Sequence, residues 1–170
     1  MYSEPRRILV LGASHRVQGY PMFVGSVRDP GYLEKIRSII ASESIDFIFE
    51  EGSGFRTLAH DIADEKSILY LDVDPPRLEA HKFGIQDSTG QPFPEAITDE
   101  QKVEENAKRE PYWSAKIEQA QFRSGLLVCG YLHTLSMAIR LLALGFQVTY
   151  ADYIPHDVLC SHPKLESNHD

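Results

Sequence analysis

The stretch LLVCGYLHTLSMAIRLLALGFQVTY, residues 126–150, decides the fold. Leu126 to Cys129 is a short, continuous apolar run, which is how a strand buried on both faces reads. Gly130-Tyr-Leu-His133 interrupts it. Thr134 to Leu144 is then a strongly apolar helix, and Gly145 stands where a helix ends in a left-handed cap. Phe146 to Tyr150 resumes as a strand. Strand, helix and strand in so short a span form a unit whose two strands run parallel.

The same rhythm extends toward the N-terminus. Arg7 to Gly12 (RILVLG) is a second buried-strand run ending in glycine. Ala13 to Pro30, with its glycines and prolines, is a loop. Tyr32 to Ser42 sets Leu33, Ile36, Ile39 and Ile40 at helical spacing. Asp46 to Glu50 is a strand, Phe55 to Glu65 a short helix, and Ser67 to Val73 a strand stopped by Pro75 and Pro76. Gly84 to Glu95 reads as a surface loop or lid. Thr98 to Arg123 is a long charged helix that Pro111 begins or kinks. The alternation predicts an α/β fold: a mostly parallel central sheet of about five strands, flanked by helices. Residues 1–170 form one domain, with 155–170 a flexible tail.

A chain of 170 residues can bury a sizeable core. Its net charge of -8 argues against a phosphate-neutralising surface, so nucleic acid is not an expected partner. No apolar run approaches the roughly 20 residues that span a bilayer. The start, MYSEPRRILVLG, lacks the apolar region and cleavage site of a leader. Two cysteines are too few for a disulfide scaffold and fit a reducing compartment, so a cytoplasmic protein is expected. Cys129 belongs to a core strand.

In an open parallel sheet, ligands bind at the carboxyl ends of the strands. Four chemistry-bearing groups collect there: Gly12-Ala-Ser-His15, Glu50-Glu51, Asp72-Val-Asp74 and Gly130-Tyr-Leu-His133. Each has an ordinary reading. His15 fits a solvated loop, His133 a packed helix start, and the aspartates a turn. At least one of Glu50 and Glu51 is expected to be solvated. The repeated motif at two strands argues for one shared site, with each glycine letting the chain turn and each histidine pointing back over the sheet edge. Two imidazoles and a carboxylate suit a first-row divalent ion. Without a metal, one histidine serves as general base toward water, held by a glutamate. Neither option is selected by the sequence. The absence of G-x-G-x-x-G, a P-loop and G-x-S-x-G argues against a standard nucleotide-binding fold and a serine α/β-hydrolase. His60, His81, His156 and His162 have no motif context and read as surface residues.

The ordered set GASH, FIFEE and GYLH resembles the superfamily that joins the Tiki proteases, the TraB and PrgY proteins, the ChaN-like proteins and the erythromycin esterases. The closest likeness lies in VCGYLHTLSMAIRLLALGFQV. The resemblance implies a minimal bacterial member with an erythromycin-esterase and ChaN-like fold. It implies hydrolysis at His15, His133 and Glu50 or Glu51. An arginine, Arg77 or Arg109, would complete the site. A metal centre, where there is one, would use His15, Glu51 and His133 to hold manganese, cobalt, zinc or iron; no other cofactor is expected. This chain is shorter than most members and lacks much of their helical insertion.

The expected function is therefore hydrolysis of an ester, lactone or amide in a small-molecule or peptide substrate. The alternative is a non-catalytic protein that binds a metal, haem or small ligand, or a regulatory subunit in bacterial stress or defence. No membrane partner is expected. The stripe Tyr112, Trp113, Ile117 and Phe122 packs on its own domain in most proteins of this kind; a homodimer built on it is left open.

Overall fold

A computed structural model describes residues 5–19, 28–52, 54–76, 82 and 99–155; for 99–103, 105 and 106 only the helical backbone is described. The sheet has five parallel strands: β1 (Arg7–Ala13), β2 (Phe47–Glu50), β3 (Leu69–Asp72), β4 (Ser124–Gly130) and β5 (Gln147–Tyr153). Their spatial order is β3-β2-β4-β1-β5. Four helices connect them: α1 (Pro30–Glu43), α2 (Leu58–Lys66), α3 (Asp99–Gln119) and α4 (Thr134–Ala143). The expected α/β class is the observed one, as an open sheet. No helix among the described residues is long and apolar enough to cross a membrane. The expected lid (84–95) and tail (155–170) lie outside the described residues, save residue 155.

Each helix begins and ends for a local reason. Asp29 caps α1 by accepting from the N–H groups of Gly31 and Tyr32, with Pro30 at the first helical position. Thr57 accepts from the His60 N–H and starts α2 three residues later than the sequence pattern does. Gly145, at φ 87°, follows α4 in the left-handed conformation. The α3 helix runs through Pro111 instead of beginning there.

Two buried layers hold the sheet. On one face Tyr32, Ile36, Leu58 and Ile62 of α1 and α2 pack on Leu11, Ile48, Leu126 and Val128. On the other, Trp113 and Ile117 of α3 and Met137 and Leu141 of α4 pack on Val10, Phe49, Leu127 and Cys129. Burying each large apolar side chain contributes about 1.5–3 kcal/mol. The stripe around Trp113 is thus core, as expected. Cys129 is too, and burial foremost, with Glu51 nearby, pushes its thiol well above the usual range.

The topology creates one switch point. From β1 the chain crosses to β2 on one side through α1, which packs on one face. From the adjacent β4 it crosses to β5 on the other side through α4, which packs on the opposite face. The loops leaving β1 and β4 diverge, and a crevice opens between them.

Candidate active site

Both Gly-x-x-His elements end at that crevice. A cleft of about 260 Å³ is lined by Ser14, His15 and Arg16 from β1 and by Tyr131, Leu132 and His133 from β4. The imidazoles converge on one carboxylate: His15 Nε2 and His133 Nε2 each lie 3.7 Å from Glu51 Oε1. That distance is too long for a hydrogen bond and suits a bridging water.

The glycines do not turn the chain, as the sequence reading expected. Gly130 has φ -59°, ψ 141°, which any residue adopts. They are needed for close approach. A Cβ on Gly130 would stand 3.2 Å from His15 Nε2 and 3.4 Å from Glu51 Oε2. A Cβ on Gly12 would stand 1.9 Å from Thr134 Oγ1 and 2.2 Å from Asp152 Oδ1. Those two atoms hydrogen-bond at 2.7 Å and pin the start of α4 to β5. Each motif's glycine thus makes room for a side chain just beyond the other motif's strand.

Strand alternation separates the two glutamates. Glu51, on the side of α3 and α4, reaches the cleft. Glu50, on the side of α1 and α2, accepts hydrogen bonds from Thr57 and from Tyr70 at 2.9 Å. Neither is solvated, contrary to expectation: Glu50 is 0% and Glu51 2% exposed, because parallel strands are covered on both faces. Their charges are tuned in opposite directions. Burial raises Glu50 to about 8, against its Thr57 and Tyr70 hydrogen bonds. Burial also opposes ionisation of Glu51, but Arg109 foremost, then the two histidines, when they carry charge, and the Gly130 N–H, hold it well below the usual carboxylate range.

Of the two candidate arginines, Arg109 is the one among the described residues, and it reaches Glu51. Its Nη2 meets Glu51 Oε1 at 2.7 Å, and the guanidinium binds both oxygens of Asp74 at 2.8 Å. The Trp113 indole N–H also donates to Asp74, at 2.8 Å, and its ring lies under the guanidinium at 4.9 Å. Arg77 lies outside the described residues. Asp72 shapes the turn as expected, accepting from the N–H groups of Gly52, Gly54 and Asp74. Asp74 does more, since it is the anchor of Arg109.

Two supporting residues were missed in the sequence. Glu110 Oε1 lies 3.0 Å from His133 Nδ1 and accepts from Ser136 Oγ at 2.6 Å. Gln18 is fully buried; its Nε2 donates to the carbonyls of Ala13 and Cys129, both at 3.1 Å, tying the ends of β1 and β4 together. This fixes the amide orientation, so Gln18 Oε1, 3.3 Å from His15 Nδ1, must accept. In both rings Nδ1 therefore faces an acceptor and donates, which leaves Nε2 turned toward Glu51. The signal for Glu110 was its place beside Arg109 and its spacing from Trp113 and Ser114 on one helical face. Gln18 had no signal beyond closeness to His15. His60, expected at the surface, is half-buried and stacks on Tyr70 at 4.2 Å; His81, His156 and His162 lie outside the described residues.

A divalent ion would need Glu51 as well as the two imidazoles. Both Glu51 oxygens are already engaged, Oε1 by Arg109 and Oε2 by the Gly130 N–H at 2.8 Å. Among the described residues, no three His, Cys, Asp or Glu side chains are grouped to hold a metal ion. The donor set is chemically suitable for a divalent ion, with Glu51 Oε1 shared with Arg109. No family model, curated protein or solved structure matches the chain.

Proposed function

We propose that this cleft is the active site of a metal-independent hydrolase acting on an ester, lactone or amide bond. The observation that carries the reading is the convergence of His15 Nε2 and His133 Nε2 on Glu51 Oε1, 3.7 Å from each, beneath an open cleft. A water donating one hydrogen bond to His133 Nε2 and one to Glu51 Oε1, its lone pair free, is the nucleophile. His133 Nε2 takes its proton as the oxygen attacks the carbonyl carbon, and Glu110 steadies the imidazolium through Nδ1–H. The same proton then passes to the leaving oxygen or nitrogen as its bond to carbon breaks. Glu51 orients the water, and His15 lines the cleft beside it. Arg109, tied to Glu51 and Asp74, keeps Glu51 ionised. The positive end of the helical run opening at Tyr131 faces the developing oxyanion. The ordered motifs support placing the chain near the erythromycin-esterase and ChaN-like proteins.

The test is a panel of chromogenic aryl esters, lactones and aryl amides, run with untagged protein before and after chelation. Turnover that survives chelation, and that falls by about 10² or more in His133→Gln and Glu110→Gln, is expected. No turnover on any class would overturn the reading. So would a stoichiometric metal in elemental analysis whose removal abolishes turnover, which would restore the metal-dependent version. Tight binding of an ion, haem or nucleotide in a thermal-shift screen, without turnover, would favour a binding protein.

A further inference from the structure

We infer that the outer flank of α4 and the edge strand β5 form an interface between two copies of this chain. The inward face of α4 is spent on the core: Thr134, Met137, Ala138 and Leu141 are buried. Its other apolar residues are not. Leu135, Ile139 and Leu142 are 56%, 60% and 62% exposed, and Tyr131 and Leu132, just before the helix, 59% and 58%. The spacing of 135, 139 and 142 puts them on one stripe. The residues that meet α3 through Glu110 are His133 and Ser136. The stripe lies about a third of a turn round from them, on the flank toward β5.

The strand beside it is equally open. β5 pairs with β1 and, among the described residues, ends the sheet. Val148 packs on the α3 and α4 side and Asp152 meets Thr134 there, so Tyr150, between them and 59% exposed, stands on the same face as the stripe. Edge strands are ordinarily blunted by shortness, by Lys or by Pro. The opposite edge, β3, is four residues long, whereas β5 has seven, QVTYADY, with no Lys, Arg or Pro.

These features point to a second copy as the occupant. Tyr150 is the middle residue of β5. A two-fold axis perpendicular to the sheet at Tyr150 pairs β5 antiparallel with its copy and sets the two tyrosines opposite each other. The same axis leaves both α4 helices on one face, stripe toward stripe. A tyrosine side chain offers about 150–250 Å², and a leucine or isoleucine somewhat less. Six large side chains, each more than half exposed, present on the order of 600 Å² per chain, at the upper end of the patches found on monomers and about three quarters of the ~800 Å² per partner of a standard interface. Tyr131 and Leu132 also line the cleft, so the dimer would set its second copy at the active-site rim.

Sedimentation equilibrium of the full chain tests this. The wild type is expected at twice the chain mass. The double variant Ile139→Glu, Leu142→Glu is expected at the monomer mass with an unchanged circular-dichroism spectrum. Tyr150→Asp should dissociate the dimer from the strand side, and serves if the helix variant fails to fold. Leu69→Glu, equally exposed but on β3, should remain dimeric. A monomeric wild type, an open-ended oligomer, or a dimer that survives both the helix and the strand variants would overturn the inference.

Discussion

Replacing Arg109 by Met tests how the cleft holds its charge. Arg109 is the cation between two nearly inaccessible carboxylates, whose side chains are 3% (Glu51) and 4% (Asp74) exposed. Met keeps the apolar stem beside Trp113 and removes the charge. Deleting one partner of a buried pair typically costs about 3–5 kcal/mol, because the other charge is left uncompensated. Here each carboxylate keeps a donor, Glu51 the Gly130 N–H and Asp74 the Trp113 indole N–H, both at 2.8 Å. The lower end, about 3 kcal/mol, is therefore expected at neutral pH, a fall of roughly 6–12 °C in Tm for a chain of this size. The pH dependence carries the diagnosis. Burial opposes the Glu51 charge, but Arg109 leads the groups that depress its pKa in the folded state. A depressed folded pKa contributes stability that is present above the unfolded value of about 4.3 and lost as pH falls through the folded one. The difference between wild type and R109M should be largest above about pH 5 and narrow in more acidic solution. Urea unfolding of both proteins across this range measures it. A difference below about 1 kcal/mol at neutral pH, or one constant with pH, would mean that Arg109 does not hold the Glu51 charge.

Glu50→Gln should behave in the opposite sense. Burial raises Glu50 to about 8, so wild-type stability falls as pH rises from the unfolded carboxylate value toward 8, by up to about 1.4 kcal/mol per pH unit. The variant lacks this loss and should gain on wild type between pH 5 and 8 in urea unfolding; parallel curves would contradict it. Gly130→Ala places a methyl group 3.2 Å from His15 Nε2, so turnover should drop well before stability does, the latter by less than about 1.5 kcal/mol. Equal turnover in G130A would mean that His15 is not held where hydrolysis needs it. Trp113→Phe removes one donor to buried Asp74 and should cost about 1–3 kcal/mol in thermal or urea unfolding, with an unchanged circular-dichroism spectrum.

The strand and helix rhythm was legible because parallel strands buried on both faces leave continuous apolar runs, and helices leave Ile36, Ile39 and their neighbours at helical spacing. The same double burial hid which glutamate serves the cleft. Phe47, Ile48 and Phe49 are all apolar, so no alternation sets the phase that sends Glu51 toward α3 and Glu50 toward Thr57. Pro111 obscured the run of α3, and with it the face that carries Glu110 and Arg109. The partner of His133 depends on where α3 crosses α4, a tertiary fact. The glycines were legible as important but not for the right reason, since their role is contact between segments far apart in the chain.

The proposed hydrolysis requires Nε2 of His15 and of His133 to be unprotonated where they face Glu51. Long-range proton–nitrogen correlation of selectively labelled histidine at neutral pH reads this directly. His15 and His133 are both expected to carry their proton on Nδ1, toward Gln18 and Glu110, and Glu110→Gln is expected to disturb His133 while leaving His15 unchanged. A proton on Nε2 of either ring would contradict it.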